Sequence, residues 1–248
     1  MWLRGFHCPP GATTTLVCLP HAGGNAAFYR DWRHLLPPWL ALVAVQYPGR
    51  LDRLDEPCVP DMATLAERVA AEVDAAVATP VALFGHSLGA SVAYEVARRL
   101  SRAPVRLFVS GRAAPHRYRG GTVHLSSDEH LWRHAVALGG TAAELGADPQ
   151  VRALALPALR NDYRLAETYR PARPEPVGCP VTAVVGTEDR EVSPDEADAW
   201  ADLTTAEFDL CVFPGGHFHL AERPGAVVAT LLTRLSTARD RRMASWWN

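Results

Sequence analysis

Short, almost unbroken apolar runs recur along the 248 residues, at Thr15 to Leu19, Leu40 to Gln46, Val81 to Phe84, Val105 to Val109, Val181 to Val185 and Phe208 to Phe213. Most do not alternate between apolar and polar residues, which is the pattern of strands covered on both faces of a parallel sheet. Between the runs lie helix patterns at about 62–78, 88–100, 194–203 and 224–236, with Pro194 after Ser193 and Pro224 as helix starts. Strands alternating with helices predict a doubly wound α/β fold with a mostly parallel central sheet flanked by helices. No internal repeat, low-complexity tract or Ser/Gly linker divides the chain, so residues 1–248 are expected to form one domain. From about 123 to 172 the sequence carries helix patterns without strands, between the fourth and fifth runs. Ligands bind such sheets at the carboxyl ends of their strands, so this insertion is a candidate lid over the site.

Composition removes several function classes. A hydrophobic share of 48% and a charged share of 21% suit a packed core, and a net charge of −2 does not suit a generally basic nucleic-acid binder. All 25 Lys+Arg residues are Arg. Without lysine the chain cannot form a Schiff base, carry a P-loop lysine or supply the ATP-binding lysine of a protein kinase. Cys8, Cys18, Cys58, Cys179 and Cys211 are odd in number and widely spaced, never as C-x-x-C, which predicts free thiols in a reducing cytoplasm and no zinc site. The N-terminus lacks the apolar segment of a signal peptide, and runs such as Trp39 to Val45 fall far short of the roughly 18 residues of a membrane span. The expectation is a cytoplasmic protein with no membrane association.

Gly85-His86-Ser87-Leu88-Gly89 follows one apolar run and precedes a helix pattern. This is the strand–turn–helix setting that a G-x-S-x-G nucleophile elbow requires, whereas a bare match would fit an ordinary turn serine. A serine hydroxyl needs a base to take its proton and an acid to orient that base, in the chain order Ser, acid, His. Asp189, in the loop after Val181 to Val185, and His217, in the Gly-Gly loop after Phe208 to Phe213, satisfy that order. Glu188 and Glu191 compete for the acid and His219 for the base. His86, inside the elbow, fits a packing or hydrogen-bonded role. His130 and His134 stand four apart as helical metal ligands could, but no third ligand accompanies them, so a solvated helix face is expected and no metal. Acyl transfer also needs backbone donors for an oxyanion. These are expected at the Leu88 N–H and, from the Pro20-His21-Ala22-Gly23-Gly24 loop, at the Ala22 N–H.

Leu19-Pro20-His21-Ala22-Gly23-Gly24, Gln46-Tyr47-Pro48-Gly49-Arg50 with Asp52-Arg53, Phe84-Gly85-His86-Ser87-Leu88-Gly89, Leu159-Arg160-Asn161-Asp162-Tyr163 and Phe213-Pro214-Gly215-Gly216-His217-Phe218 together resemble the type II thioesterases of polyketide synthases and nonribosomal peptide synthetases. The resemblance runs from about residue 14 to 235. It implies an α/β-hydrolase fold with a mobile helical lid. It also implies hydrolysis of unwanted acyl or aminoacyl groups from the phosphopantetheine arm of acyl or peptidyl carrier proteins. No cofactor is implied, since the substrate carries the phosphopantetheine, and a monomer is expected. His219 stands where the family usually has an aromatic, which implies an altered pocket wall, and Leu88 replaces a frequent Met.

From Arg98 to Arg119 the chain carries seven arginines and no Asp or Glu. Carrier proteins are typically acidic, so Arg112, Arg117 and Arg119 are candidate docking residues, against the alternative of scattered surface charges. Two other classes share the sequence features. A carboxylesterase or lipase would use the same triad on oxygen esters, and a non-catalytic relative would usually lack a triad member. A macrocyclising enzyme would normally end a megasynthase.

Overall fold

The computed structural model describes residues 1–140, 148–171 and 173–244, with side chains described to residue 237. Parts of the proposed lid (141–147 and 172) and the tail Ser245-Trp246-Trp247-Asn248 lie outside the described residues.

Seven strands form one sheet: β1 (Leu3–His7), β2 (Thr14–Leu19), β3 (Leu40–Val45), β4 (Val81–His86), β5 (Arg106–Ser110), β6 (Val181–Gly186) and β7 (Phe208–Phe213). Their order is β1-β3-β2-β4-β5-β6-β7, with β2 to β7 parallel and β1 antiparallel to β3. All six apolar runs are strands. The edge strand β1 was not expected from the sequence: only Leu3 of its five residues is buried, so it has no apolar run to reveal it.

The unbroken apolar runs have a direct cause. Neighbouring strand residues point to opposite faces, and both faces are covered. Val17, Leu83 and Leu107 enter one core, while Leu16, Phe84 and Phe108 enter the other. The first core lies under α1 (Met62–Ala76) and α2 (Leu88–Ala97), and the second under α7 (Pro224–Ala244) and a 3-10 segment at Ala26–Leu35. In α1 the buried Met62, Leu65, Ala66, Val69, Ala70 and Val73 follow helical spacing, and the Asp61 side chain caps the first turn at Thr64 N–H (2.8 Å). Every residue of α2 is buried, as expected of a helix packed on all sides. The 3-10 segment buries Ala26, Tyr29 and Trp32 at intervals of three, the period of that helix, which a search for a period near 3.6 does not detect.

Between β5 and β6 lie a 3-10 turn (Val123–Leu125), α3 (Asp128–Leu138) and α4 (Pro149–Thr168), with their own small core of Leu131, Trp132, Ala135 and Leu159. The expected helix at 194–203 divides into α5 (Pro194–Asp198) and a 3-10 turn (Ala199–Leu203), and α6 (His219–Glu222) precedes α7. No helix among the described residues is long and apolar enough to cross a membrane.

The register places Leu19 beside Gly85, His86 beside Ser110, and Gly186 beside Phe213, so the loops carrying the candidate site residues leave the sheet along one edge. The insertion starts from the same edge.

Candidate active site

Ser87 joins β4 to α2 at φ 54°, ψ −118°, a backbone region that non-glycine residues rarely occupy. The glycines around it make the turn possible. A Cβ on Gly85 would lie 2.0 Å from the Gly89 carbonyl oxygen, and one on Gly89 would lie 2.1 Å from that of Leu19. The Ser87 N–H donates to Ser110 O of β5 (2.8 Å), tying the strained turn to the neighbouring strand.

The loops after β6 and β7 touch backbone to backbone. Thr187 N–H donates to Phe213 O (2.8 Å) and Glu188 N–H to Gly215 O (2.9 Å), and a Cβ on Gly186 would fall 2.4 Å from Gly215 O. This contact brings Asp189 to His217: its Oδ1 and Oδ2 lie 3.0 and 2.9 Å from His217 Nδ1. The Asp189 side chain is fully covered and also accepts the Glu191 N–H (2.9 Å). With Nδ1–H donating to the carboxylate, Nε2 is left as an acceptor. Gly111, at φ +60°, makes room for this ring, because a Cβ there would lie 3.2 Å from His217 Cε1 and 2.6 Å from His86 Cε1.

Ser87, His217 and Ala22 line one cavity of about 250 Å³, together with residues of the inserted segment that include His134, Leu138, Tyr163 and Glu167. Ala22 is the second residue of a turn closed by Gly24 N–H donating to His21 O (2.9 Å). Gly23 at φ +72° is its third residue, the position where a type II turn requires a positive φ. Leu88 is the first residue of α2, where helix N–H groups have no intrahelical acceptor.

Residues 14–235 match the thioesterase domain family. A probable cadicidin biosynthesis thioesterase of Streptomyces griseus is 41% identical over 91% of this chain, and the match spans 63% of that protein's length. Thioesterase PikA5 of Streptomyces venezuelae is 40% identical over 90% of this chain and 81% of its own. Among solved structures, the type II thioesterase BorB from the borrelidin biosynthetic cluster superposes with a TM-score of 0.88 at 44% identity, covering 94% of this chain and 97% of that one. The chain belongs to the type II thioesterases. Its fold is that of the α/β hydrolases, as the sequence resemblance implied.

The geometry of this thioesterase separates the alternatives left open by its sequence. Glu188 and Glu191 are exposed, and neither bonds His217, although Glu191 reaches the cavity wall. His219 is buried, its Nδ1 3.3 Å from Gly216 O and its ring stacked on Phe213. It does not line the cavity, so the altered pocket wall implied at this position is not found; Phe218 stands there instead. His86 is buried with Nδ1 3.0 Å from Ser110 Oγ, the hydrogen-bonded role expected of it. His134 departs from the expected solvated face, because its ring meets Tyr163 edge-on and lines the cavity, while His130 is exposed. Among the described residues no group of side chains could hold a metal ion, and all five cysteines are free.

Arg112 is not a surface docking residue. It is buried with its guanidinium over the Tyr118 ring, Nε donating to Ser91 Oγ (3.2 Å) and Nη2 to Ala166 O of α4. Other arginines of that stretch find carboxylates outside it: Arg98 and Arg99 pair with Glu95, three and four residues before them, and Arg106 with the distant Asp209. Counting charges from residue 98 onward left out Glu95, one helical turn earlier, and the distant Asp209. Arg117 and Arg119 are exposed, Arg119 lying 3.5 Å from Glu196.

Sequence reasoning gave no role to Asp162, which sits buried in α4 between Leu159 and Leu165. A carboxylate inside an apolar helical stripe needs a partner, and that was the available signal. The partner is Arg50, held at 2.6 and 3.0 Å.

The buried histidines set an acid limit on stability. Burial holds His86 well below the usual histidine value, with His217 and His21 adding to the effect. Burial, then His217 and Arg50, push His21 from 6.5 to about 3, and burial also lowers His219. The unfolded chain therefore takes up protons below pH 6.5 that the folded chain refuses. The stabilisation is complete above that pH and is lost as pH falls toward the folded values. Urea unfolding from pH 7 to 5 should show stability falling by up to about 1.4 kcal/mol per pH unit for each histidine. His21→Phe should remove one histidine's share, and an unchanged stability over this range would contradict the assignment.

Proposed function

We propose that this thioesterase releases stalled or aberrant acyl and aminoacyl groups from the phosphopantetheine arm of carrier proteins serving a polyketide or nonribosomal peptide synthase. The observation that carries the reading is the Asp189–His217 hydrogen-bonded pair opening on the same cavity as Ser87 on its strained elbow. Ser87 Oγ attacks the thioester carbonyl carbon while His217 Nε2 takes its proton. The tetrahedral oxyanion accepts hydrogen bonds from the Leu88 and Ala22 N–H groups. The C–S bond then breaks, and His217 returns the proton to the departing pantetheine thiolate. Water, deprotonated by His217, attacks the acyl-enzyme, and the acid leaves as Ser87 recovers its proton. Asp189 holds the tautomer and stabilises the imidazolium. Every participant in this cycle is a side chain, a backbone amide, substrate or water, and the reading places the work in the cytoplasm.

Arg117 and Arg119, exposed beyond the carboxyl end of β5, are the proposed contacts for an acidic carrier. The test compares one short acyl group on a holo carrier protein, on a small thiol and as an oxygen ester, with wild type, Ser87→Ala and the double variant Arg117→Ala with Arg119→Ala. The expected result is fast, Ser87-dependent release favouring the carrier thioester, and a raised KM in the double variant for the carrier substrate alone. Preference for the oxygen ester would move the protein to the esterases. Equal effects of the double variant on carrier and small thioesters would remove the docking role.

A further inference from the structure

The lid helix and the turn proposed to hold the oxyanion are joined by one carboxylate. Asp162 Oδ2 accepts the Gly23 N–H (2.8 Å), the N–H of the central peptide of the His21–Gly24 turn. The same carboxylate is held by Arg50, whose Nη1 also donates to Gly24 O (3.0 Å). Both charged side chains are buried. One turn earlier on α4, Leu159 packs directly over Gly23, where a Cβ would lie 2.6 Å from Leu159 Cδ1. Leu159 and Asp162 are three apart, so one helix face presses and bonds the same turn.

Types I and II of a four-residue turn differ by a flip of the central peptide. A carboxylate fixed on the Gly23 N–H holds that peptide in the type II orientation, and the flip would turn the N–H away from it. The flip would change Ala22 ψ and Gly23 φ but not Ala22 φ, so the carboxylate acts on the Ala22 N–H, the proposed oxyanion donor, by holding in place the turn that carries it. Without Asp162 the turn keeps its cross-turn hydrogen bond but loses the tether that selects one of its two forms.

We infer that Asp162 is a positioning residue for the reaction, acting through Gly23 and supported by Arg50, so that seating the lid helix and ordering the oxyanion donor are one event. This rests on the reading of Ser87 and Ala22 given above. It predicts a lid that gates chemistry as well as entry, because displacing α4 withdraws the carboxylate from the turn.

The test uses the full chain with Asp162→Ala, and with the double variant Asp162→Leu and Arg50→Met. The second removes the tether without leaving an orphaned charge, and apolar replacement of a buried ion pair is commonly tolerated. It therefore answers the question if the single variant does not fold. The measurements are thermal unfolding, kcat and KM on a small thioester, and the affinities of the product acid and of an alkyl boronic acid. The boron accepts a bond from Ser87 Oγ and becomes a tetrahedral anion that needs the oxyanion donors, as a transition-state analogue does. Losing one oxyanion donor costs about 10²–10³ in rate, and displacing one costs less, so a fall in kcat of about 10–10² is expected. Boronate affinity should fall in parallel, with KM and product affinity unchanged. Wild-type kcat in a folded variant, a rise in KM alone, or a fall in kcat with boronate affinity intact would each overturn the inference. Absence of Ser87-dependent turnover in the wild type would instead overturn the function proposed above.

Discussion

Ser87→Ala should lower kcat for thioester hydrolysis by about six orders of magnitude, and Asp189→Asn by about four. The difference in size follows from what each variant removes. Without Ser87 Oγ no acyl-enzyme forms, and only water positioned in the cavity remains. Asn at position 189 fills the same covered space but can turn its amide N–H toward His217 Nδ1, where a carboxylate now sits at 2.9 Å. The imidazole then takes the other tautomer, carries its proton on Nε2 and cannot accept one from Ser87. Stability should change little with Ser87→Ala, since the strained φ of 54° is relieved by no side-chain contact of the hydroxyl among the described hydrogen bonds. Single-turnover kinetics with thermal unfolding on the same samples would check both. A loss below tenfold in Asp189→Asn would contradict the acid assignment.

Arg50→Leu should destabilise the fold by about 3–5 kcal/mol, the cost of removing one partner from a buried ion pair. The Arg50 and Asp162 side chains are 9% and 3% exposed, so the variant would leave the Asp162 carboxyl buried without its cation and with the Gly23 N–H as its donor among the described hydrogen bonds. The charge on Arg50 is itself favoured: burial opposes it, but the charge and hydrogen bond of Asp162, joined by Cys58 and Tyr47, together raise its pKa. Removing an exposed pair such as Arg4–Asp52 should cost about 0–1 kcal/mol. Urea unfolding of Arg50→Leu and Arg4→Leu beside wild type separates the two cases, and equal midpoints for the two variants would contradict the buried-pair account.

The parallel sheet was legible because both of its faces are covered, which turns Leu16-Val17 and Leu83-Phe84 into readable apolar runs. Strand β1 was not, because an edge strand with one buried residue has no such run. The proximity of Asp189 to His217, and of both their loops to the Ser87 elbow, was legible for a local reason: Ser87, Asp189 and His217 each sit within a few residues of the end of an apolar run, in a loop marked by glycine. The cavity roof was not, because His134 and Tyr163 reach the site through the packing of α3 against α4, a long-range arrangement with no local sequence mark. Arg112 failed as a docking residue for a related reason. A charge seen in a row of arginines carries no record of the α4 carbonyl and aromatic ring that enclose it. Asp162 stood between these cases, since its place in an apolar stripe announced a buried partner without naming Arg50.

Acylation of Ser87 by a carrier-bound substrate tests the central claim most directly. Wild-type protein mixed with an acyl-loaded holo carrier, quenched within one turnover and digested, should show the acyl mass on the peptide containing Gly85-His86-Ser87-Leu88-Gly89, with none on the Ser87→Ala protein. Release of the free acid by both proteins at similar rates, with no acyl mass on Ser87, would contradict the account.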